Sequence, residues 1–188
     1  MARASKNIAK IPHRELSPET GLSRGELLAK LGDIAEKGGS TFRANILTQL
    51  KTSLTEAKNS ARELFERGRL DGLETARVLA AIHDDIVISL WGFAVKHIVG
   101  GADMEPVSLC AVGGYGRGEM APESDVDLLF LTADAATSEQ VEALTEYMLY
   151  MLWDLGLKVG HASRSVDQLS LIHISEPTRR YAISYAVF

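Results

Sequence analysis

Asp125 and Asp127 stand one residue apart at the head of the apolar run Leu128-Leu129-Phe130-Leu131. In an extended strand, side chains at i and i+2 leave on the same side, so the two carboxylates point together while Val126 points away. Paired carboxylates repel one another and are best accommodated by sharing a divalent cation. Oxygen ligands of this kind suit Mg2+, which is commonly held by one or two carboxylates together with substrate phosphates. Starting twelve residues ahead of Asp125 lies Gly113-Gly114-Tyr115-Gly116-Arg117-Gly118. Glycines there permit positive φ and let backbone amides approach an anion without interference from a Cβ, and Arg117 is a candidate phosphate or structural partner. The combination reads as a metal-and-phosphate site between two apolar strands.

Two other glycine-loop chemistries fit less well. A P-loop requires Gly-Lys-Ser/Thr, which does not follow these glycines. The dinucleotide fingerprint, read from Gly114, meets Glu119 where its last glycine belongs; read from Gly116 it reaches Ala121, but Pro122 and an acidic strand follow where a helix is needed. The plain alternative is a tight hairpin with two surface aspartates. It accounts for the acidic pair alone and leaves the adjoining glycine turn and Ser124 unexplained.

The elements that must hold this site follow from periodicity. Val107–Ala111 reads as a short strand, and the continuous apolar run after Asp127 as a strand buried on both faces, with the carboxylates at its accessible end. Upstream, Ser23 and Glu26 have capping-box spacing and open a helix to about Lys37, which Gly38-Gly39 breaks. Phe42 to Arg67 carries Ile46, Leu50, Leu54, Ala57, Ala61 and Leu64 in one stripe and ends at Gly68. A third helix, from about Asp71 to His97, is apolar over much of its surface and is expected to pack on the sheet, with Gly100-Gly101 closing it. Downstream, Thr137 to Leu155 is expected as an amphipathic helix whose Met and aromatic residues are core. Leu157 to Ser163 is expected as a third strand.

His83-Asp84-Asp85 in the third helix has the adjacent His-Asp pair of metal phosphohydrolases, but no further histidine set accompanies it, so a helix-surface or capping role is expected. Cys110 is the only cysteine, which excludes an intrachain disulfide, and its strand position predicts an inert buried thiol. The chain has 188 residues, is 46% hydrophobic and carries a net charge of −5, a balance that suits one cored domain and argues against a basic nucleic-acid groove. No stretch reads as a membrane span and the basic start MARASKNIAK lacks a signal-peptide apolar core, so a cytoplasmic location without membrane partners is expected.

Gly113-Gly114 followed by Asp125-x-Asp127 and hydrophobics resembles the signature of the DNA polymerase beta-type nucleotidyltransferases. More narrowly, GGYGRGE, AP, SD, DLLFL and LYMLWDLGLKVGHASRSVD resemble the N-terminal catalytic domain of the bifunctional PII uridylyltransferase/uridylyl-removing enzymes, over about Val107 to Asp167. The resemblance implies an α+β fold: a small mixed sheet with helices, the nucleotidyltransferase core at 102–168, preceded by a helical segment at 23–101 and a loose terminus at 1–22. It implies transfer of UMP from UTP to a tyrosine of PII, with Asp125 and Asp127 as catalytic metal ligands for two Mg2+ roughly 3.5 to 4 Å apart. Gly113, Gly114, Arg117 and Ser124 are then the nucleotide-binding residues, while Lys158, His161, Ser163 and Arg164 are candidates to line the pocket. An antibiotic-modifying type of adenylyltransferase would share the glycines and aspartates but lack LWDLGLKVGH.

Leu169 to Arg179 and Ile183 to Phe188 resemble a translated sequencing adapter, so the native sequence is expected to stop near Gln168. A third carboxylate of the family, the uridylyl-removing HD domain and the glutamine-sensing ACT domains would then lie beyond this chain. As it stands, the chain is expected to be inactive alone or a non-catalytic nucleotide-binding piece.

Overall fold

A computed structural model describes residues 22–100, 106–133 and 138–169. Helix α1 (Arg24–Lys37) starts at Ser23, whose side chain accepts from the Glu26 amide at 3.4 Å, and stops at Gly38, where φ is 58°. Helix α2 (Phe42–Glu66) buries Ile46, Leu50, Leu54, Ala57 and Ala61 at three- and four-residue spacing. It ends as Gly68 turns to φ 66°. Helix α3 (Gly72–His97) opens with a full capping box: Asp71 accepts from the Glu74 amide at 2.7 Å and Glu74 accepts from the Asp71 amide at 2.8 Å.

Strand β1 (Val107–Ala111) pairs antiparallel with β2 (Val126–Thr132), and β2 pairs parallel with β3 (Val159–Ser165), in the order β1-β2-β3. The central strand begins one residue after Asp125. The glycine run forms a single helical turn, α4 (Gly113–Gly116), between β1 and β2. Helix α5 (Glu139–Asp154), capped by Ser138, supplies the crossover that a parallel β2-β3 pair needs. The structure is thus mixed α+β, as the resemblance implied.

One hydrophobic cluster runs from Leu27 in α1 to Leu155 after α5, taking in the helices and the sheet face that carries Leu128 and Phe130. Trp91 of α3 meets Phe130 with ring centroids 6.4 Å apart, which places α3 on that face. Leu22, expected in a loose terminus, packs against this cluster. Residues 1–21, the Gly101 end of the third helix's closing pair, Thr137 and residues 170–188 of the adapter-like run lie outside the described residues.

Three expectations are corrected. Tyr150 and Trp153 of α5 are 54% and 44% exposed rather than core, and they stack edge to face on each other at 5.7 Å. Helix α3 is long and apolar enough to cross a membrane, but most of that window is buried inside the protein. His83 and Asp85 are buried rather than on a helix surface or at a cap. The Nδ1 of His83 lies 2.7 Å from the Leu79 carbonyl. A carbonyl can only accept, so this nitrogen carries the proton and Nε2 is left as the ring's acceptor.

Burial pushes the His83 imidazole down to about 4 and pushes the Asp85 carboxyl up to about 6. Their effects on stability oppose each other. The folded state holds the Asp85 proton more tightly than the unfolded chain, so its contribution is present at low pH and fades as pH rises through about 6. His83 is harder to protonate when folded, so its contribution fades as pH falls from 6.5 towards 4. Asp85→Asn is expected to raise stability at pH 7. It should also expose the histidine slope, so that urea unfolding shows the variant losing stability steadily from pH 7 to pH 4.

Candidate functional site

The candidate site gathers where β1 ends and β2 and β3 begin. The Val112 amide donates to the Asp127 carbonyl at 3.0 Å, which carries the β1-β2 pairing one step past β1 and sets Gly113 over Asp127. Gly113 has φ 63°, and a Cβ there would lie 2.7 Å from Asp127 Oδ2. Across the sheet, Asp127 pairs with Gly160 of β3, where a Cβ would collide with Asp127 Oδ1. The carboxylate therefore sits in a slot between two glycines and is half-buried. Desolvation, then the neighbouring Asp125 carboxylate, pushes the Asp127 carboxyl above its usual range. Asp125, just outside the strand, is exposed.

A half-buried carboxylate whose ionisation is opposed by burial and by a second carboxylate is a fit place for a cation. The donor set is hard oxygen, as Mg2+ prefers. Among the described residues, no cluster of three His, Cys, Asp or Glu side chains is placed to hold a metal. Asp154 ends α5 and pairs with Arg43 at 2.8 Å, and Asp167 lies in a helical turn at 166–169, so neither stands on a strand beside the pair.

The glycine turn is fixed from below. Tyr115 is 3% exposed and meets His83 edge-on, with centroids 6.5 Å apart. The Gly118 amide closes onto the Tyr115 carbonyl at 2.8 Å and the Glu119 amide onto Gly114 at 3.1 Å. Arg117 is exposed beside Gly114. Ser124 donates its hydroxyl to the Ala121 carbonyl at 2.9 Å, so its proton holds a turn in which Glu123 adopts φ 63°. A Ser124 hydroxyl contact to phosphate requires that proton to rotate away.

The structure thus brings Asp125, Asp127, Gly113, Gly114 and Arg117 to one end of the sheet, with Ser124 on the loop that leads in. The later candidates separate. The Lys158 carbonyl accepts from the Val126 amide at 2.7 Å, beside the pair. His161 pairs with Leu128 and meets Trp153 edge to face with centroids 6.0 Å apart, which puts it on the face of the sheet away from Asp127. Ser163 pairs with Phe130 on that same face, and Arg164 lies opposite Leu131, farther along the sheet. Sequence reasoning missed Gly160 and Tyr115. Gly160 carries no signal until the β2-β3 register is known, whereas an aromatic residue enclosed by glycines could have marked Tyr115 as the anchor of its turn.

The family model "Putative nucleotidyltransferase DUF294" matches residues 55–167. A bifunctional uridylyltransferase/uridylyl-removing enzyme of Phenylobacterium zucineum is 42% identical over 144 residues, covering 75% of this chain and 15% of that protein. Those of Caulobacter vibrioides and Azospirillum brasilense are 40% and 41% identical, covering 83% and 86% of this chain and 16% and 18% of theirs. The chain therefore spans less than a fifth of the length of these relatives.

The slot makes a stability prediction. Gly160→Ala should cost about 1–3 kcal/mol, because the added methyl must displace a carboxylate or a strand. Gly32→Ala, in the middle of α1 with open space around its Cα, should instead stabilise by about 0.5–1 kcal/mol. Denaturant titration of both variants checks the contrast, and a neutral Gly160→Ala would argue against the tight slot.

Proposed function

The chain belongs to the DUF294 nucleotidyltransferase family, and from that premise we propose that its site transfers UMP from UTP to a tyrosine hydroxyl of the PII signalling protein, in the cytoplasm where UTP is available. The observation that carries this reading is the Asp127 carboxylate held between Gly113 and Gly160 beside the glycine turn. The relatives' names support uridine as the nucleoside: each relative is called a uridylyltransferase, and LWDLGLKVGH lies within the matched region.

Asp125 and Asp127 are the residues that would hold Mg2+, whose charge, when bound, offsets that of the triphosphate. The rest falls to the chain itself. The amides of Gly113 and Gly114 open the helical turn without side chains and can be approached by phosphate oxygens. Arg117, exposed beside Gly114, adds a cation at the same end. The tyrosine oxygen forms a bond to the α-phosphorus as the bond to the α–β bridging oxygen breaks, the β- and γ-phosphates leave together as pyrophosphate, and the phenolic proton passes to solvent. In-line attack of this kind depends on positioning and charge, which a carboxylate fixed on a central strand supplies.

Calorimetric titration with Mg-UTP and Mg-ATP tests the reading. UTP should bind in preference to ATP. In Asp125→Asn/Asp127→Asn the Mg-dependent part of that binding should disappear while the circular dichroism spectrum is unchanged. Equal affinity for the two nucleotides, or binding indifferent to the double substitution, would count against it.

A further inference from the structure

Behind the loop that carries Ser124 lies a cleft of about 480 Å3, within the roughly 300–1,000 Å3 range of small-molecule sites. Its walls come from the second half of α2, the first half of α3, residues 121–124 and residues 156–158. Helix α3 packs on the sheet face that carries Phe130, whereas Asp127 leaves from the opposite face, so the cleft lies across the sheet from the slot that holds the carboxylate and shares only Ser124 and Lys158 with the candidate nucleotide-binding residues. The proposed transfer uses none of its helical residues.

The chemistry of the lining is uneven in a way that selects a ligand. Lys58, Arg62 and Lys158 contribute three cations against one anion, Glu123. Arg62 is engaged by Glu66 at 2.8 Å, while Lys58 and Lys158 form no ion pair among the described residues. Phe65, Leu79 and Leu157 add apolar surface. His83 lines the same cleft and is fixed as an acceptor at Nε2 by its bond to Leu79. Lys58 and Glu123 lie close enough to act on the His83 ring with opposite signs. A fitting molecule therefore has an anionic end for the lysines, a flat apolar body and a hydrogen-bond donor for the imidazole.

We propose that this cleft is a second binding site, for a nucleoside monophosphate or a phosphorylated molecule of that size and donor pattern, reached independently of the aspartate pair. Its position bears on the catalytic end. Loop 121–124, with Glu123 at φ 63° and the Ser124–Ala121 hydrogen bond, runs from the cleft wall directly into Asp125. A ligand seated against the loop contacts the segment that sets where Asp125 begins.

The test is calorimetric titration of the full chain with UMP in EDTA, which removes any divalent cation the aspartates would share. One site is expected. Lys58→Glu should weaken it by about tenfold or more, as reversing a contact charge does. Lys158→Glu provides an independent arm with the same expected loss, and each variant is first shown to be folded by circular dichroism. Asp125→Asn/Asp127→Asn should leave UMP binding in EDTA unchanged. The proposal is overturned if folded chain binds no UMP, if both lysine reversals leave the affinity intact, or if the aspartate variant abolishes it. The last result would place the nucleotide in the catalytic slot. Failure of UTP selectivity in the Mg-dependent titration leaves this test unaffected.

Discussion

A carboxylate with no Cβ on either side of it is the constraint from which the site follows. Asp127 sits on the central strand, and the turn that follows β1 and the neighbouring strand β3 each present a glycine at the level of its side chain. A methyl group at either position would press on one of the two carboxylate oxygens. The close approach carries an electrostatic cost as well as a steric demand. Burial and the nearby Asp125 both oppose ionisation of Asp127, so the apo site holds unfavourable charge that a bound cation would relieve. With the proposed metal-binding role, stability and function pull in different directions at this residue.

The helices account for why the glycine turn keeps its place. A four-residue helical turn has too few internal hydrogen bonds to be stable by itself. It is held by Tyr115, which reaches into the core and lies against His83 of α3. The loop that follows is tied to the same helix, through the Met120 amide and the Ala76 carbonyl at 3.1 Å. The His83-Asp84-Asp85 run thus lies beneath the glycine turn, and its buried polar groups stand where the helix layer meets that turn.

Local signals in the sequence were mostly sufficient for the elements. Apolar spacing placed α2 and α3 to within a residue, and Gly38 and Gly68 stop their helices with positive φ as glycine permits. The acidic pair and glycine run were legible because their chemistry lies in residue types at short range. Burial was less so. His83 and Asp85 look like surface residues by type, and only the packing of α3 against other helices and the sheet buries them. Tyr150 and Trp153 err in the other direction, since their stretch of α5 leaves them exposed to pair with each other. Gly160 acquires its meaning from strand register, which no local pattern carries.

The two sides of the Asp127 slot also differ in how far along the chain they lie. Gly113 belongs to the antiparallel β1-β2 unit, joined by a compact glycine turn, whereas Gly160 arrives only after the chain has crossed through α5 to form a parallel pair. Parallel pairing across a long connection incurs its loop entropy before any contact rewards it, and such contacts form late. A folding intermediate with β1 and β2 paired would therefore carry an open, better hydrated Asp127. Docking of β3 would then be the event that completes its desolvation, so the third strand and the perturbed carboxylate would arrive together.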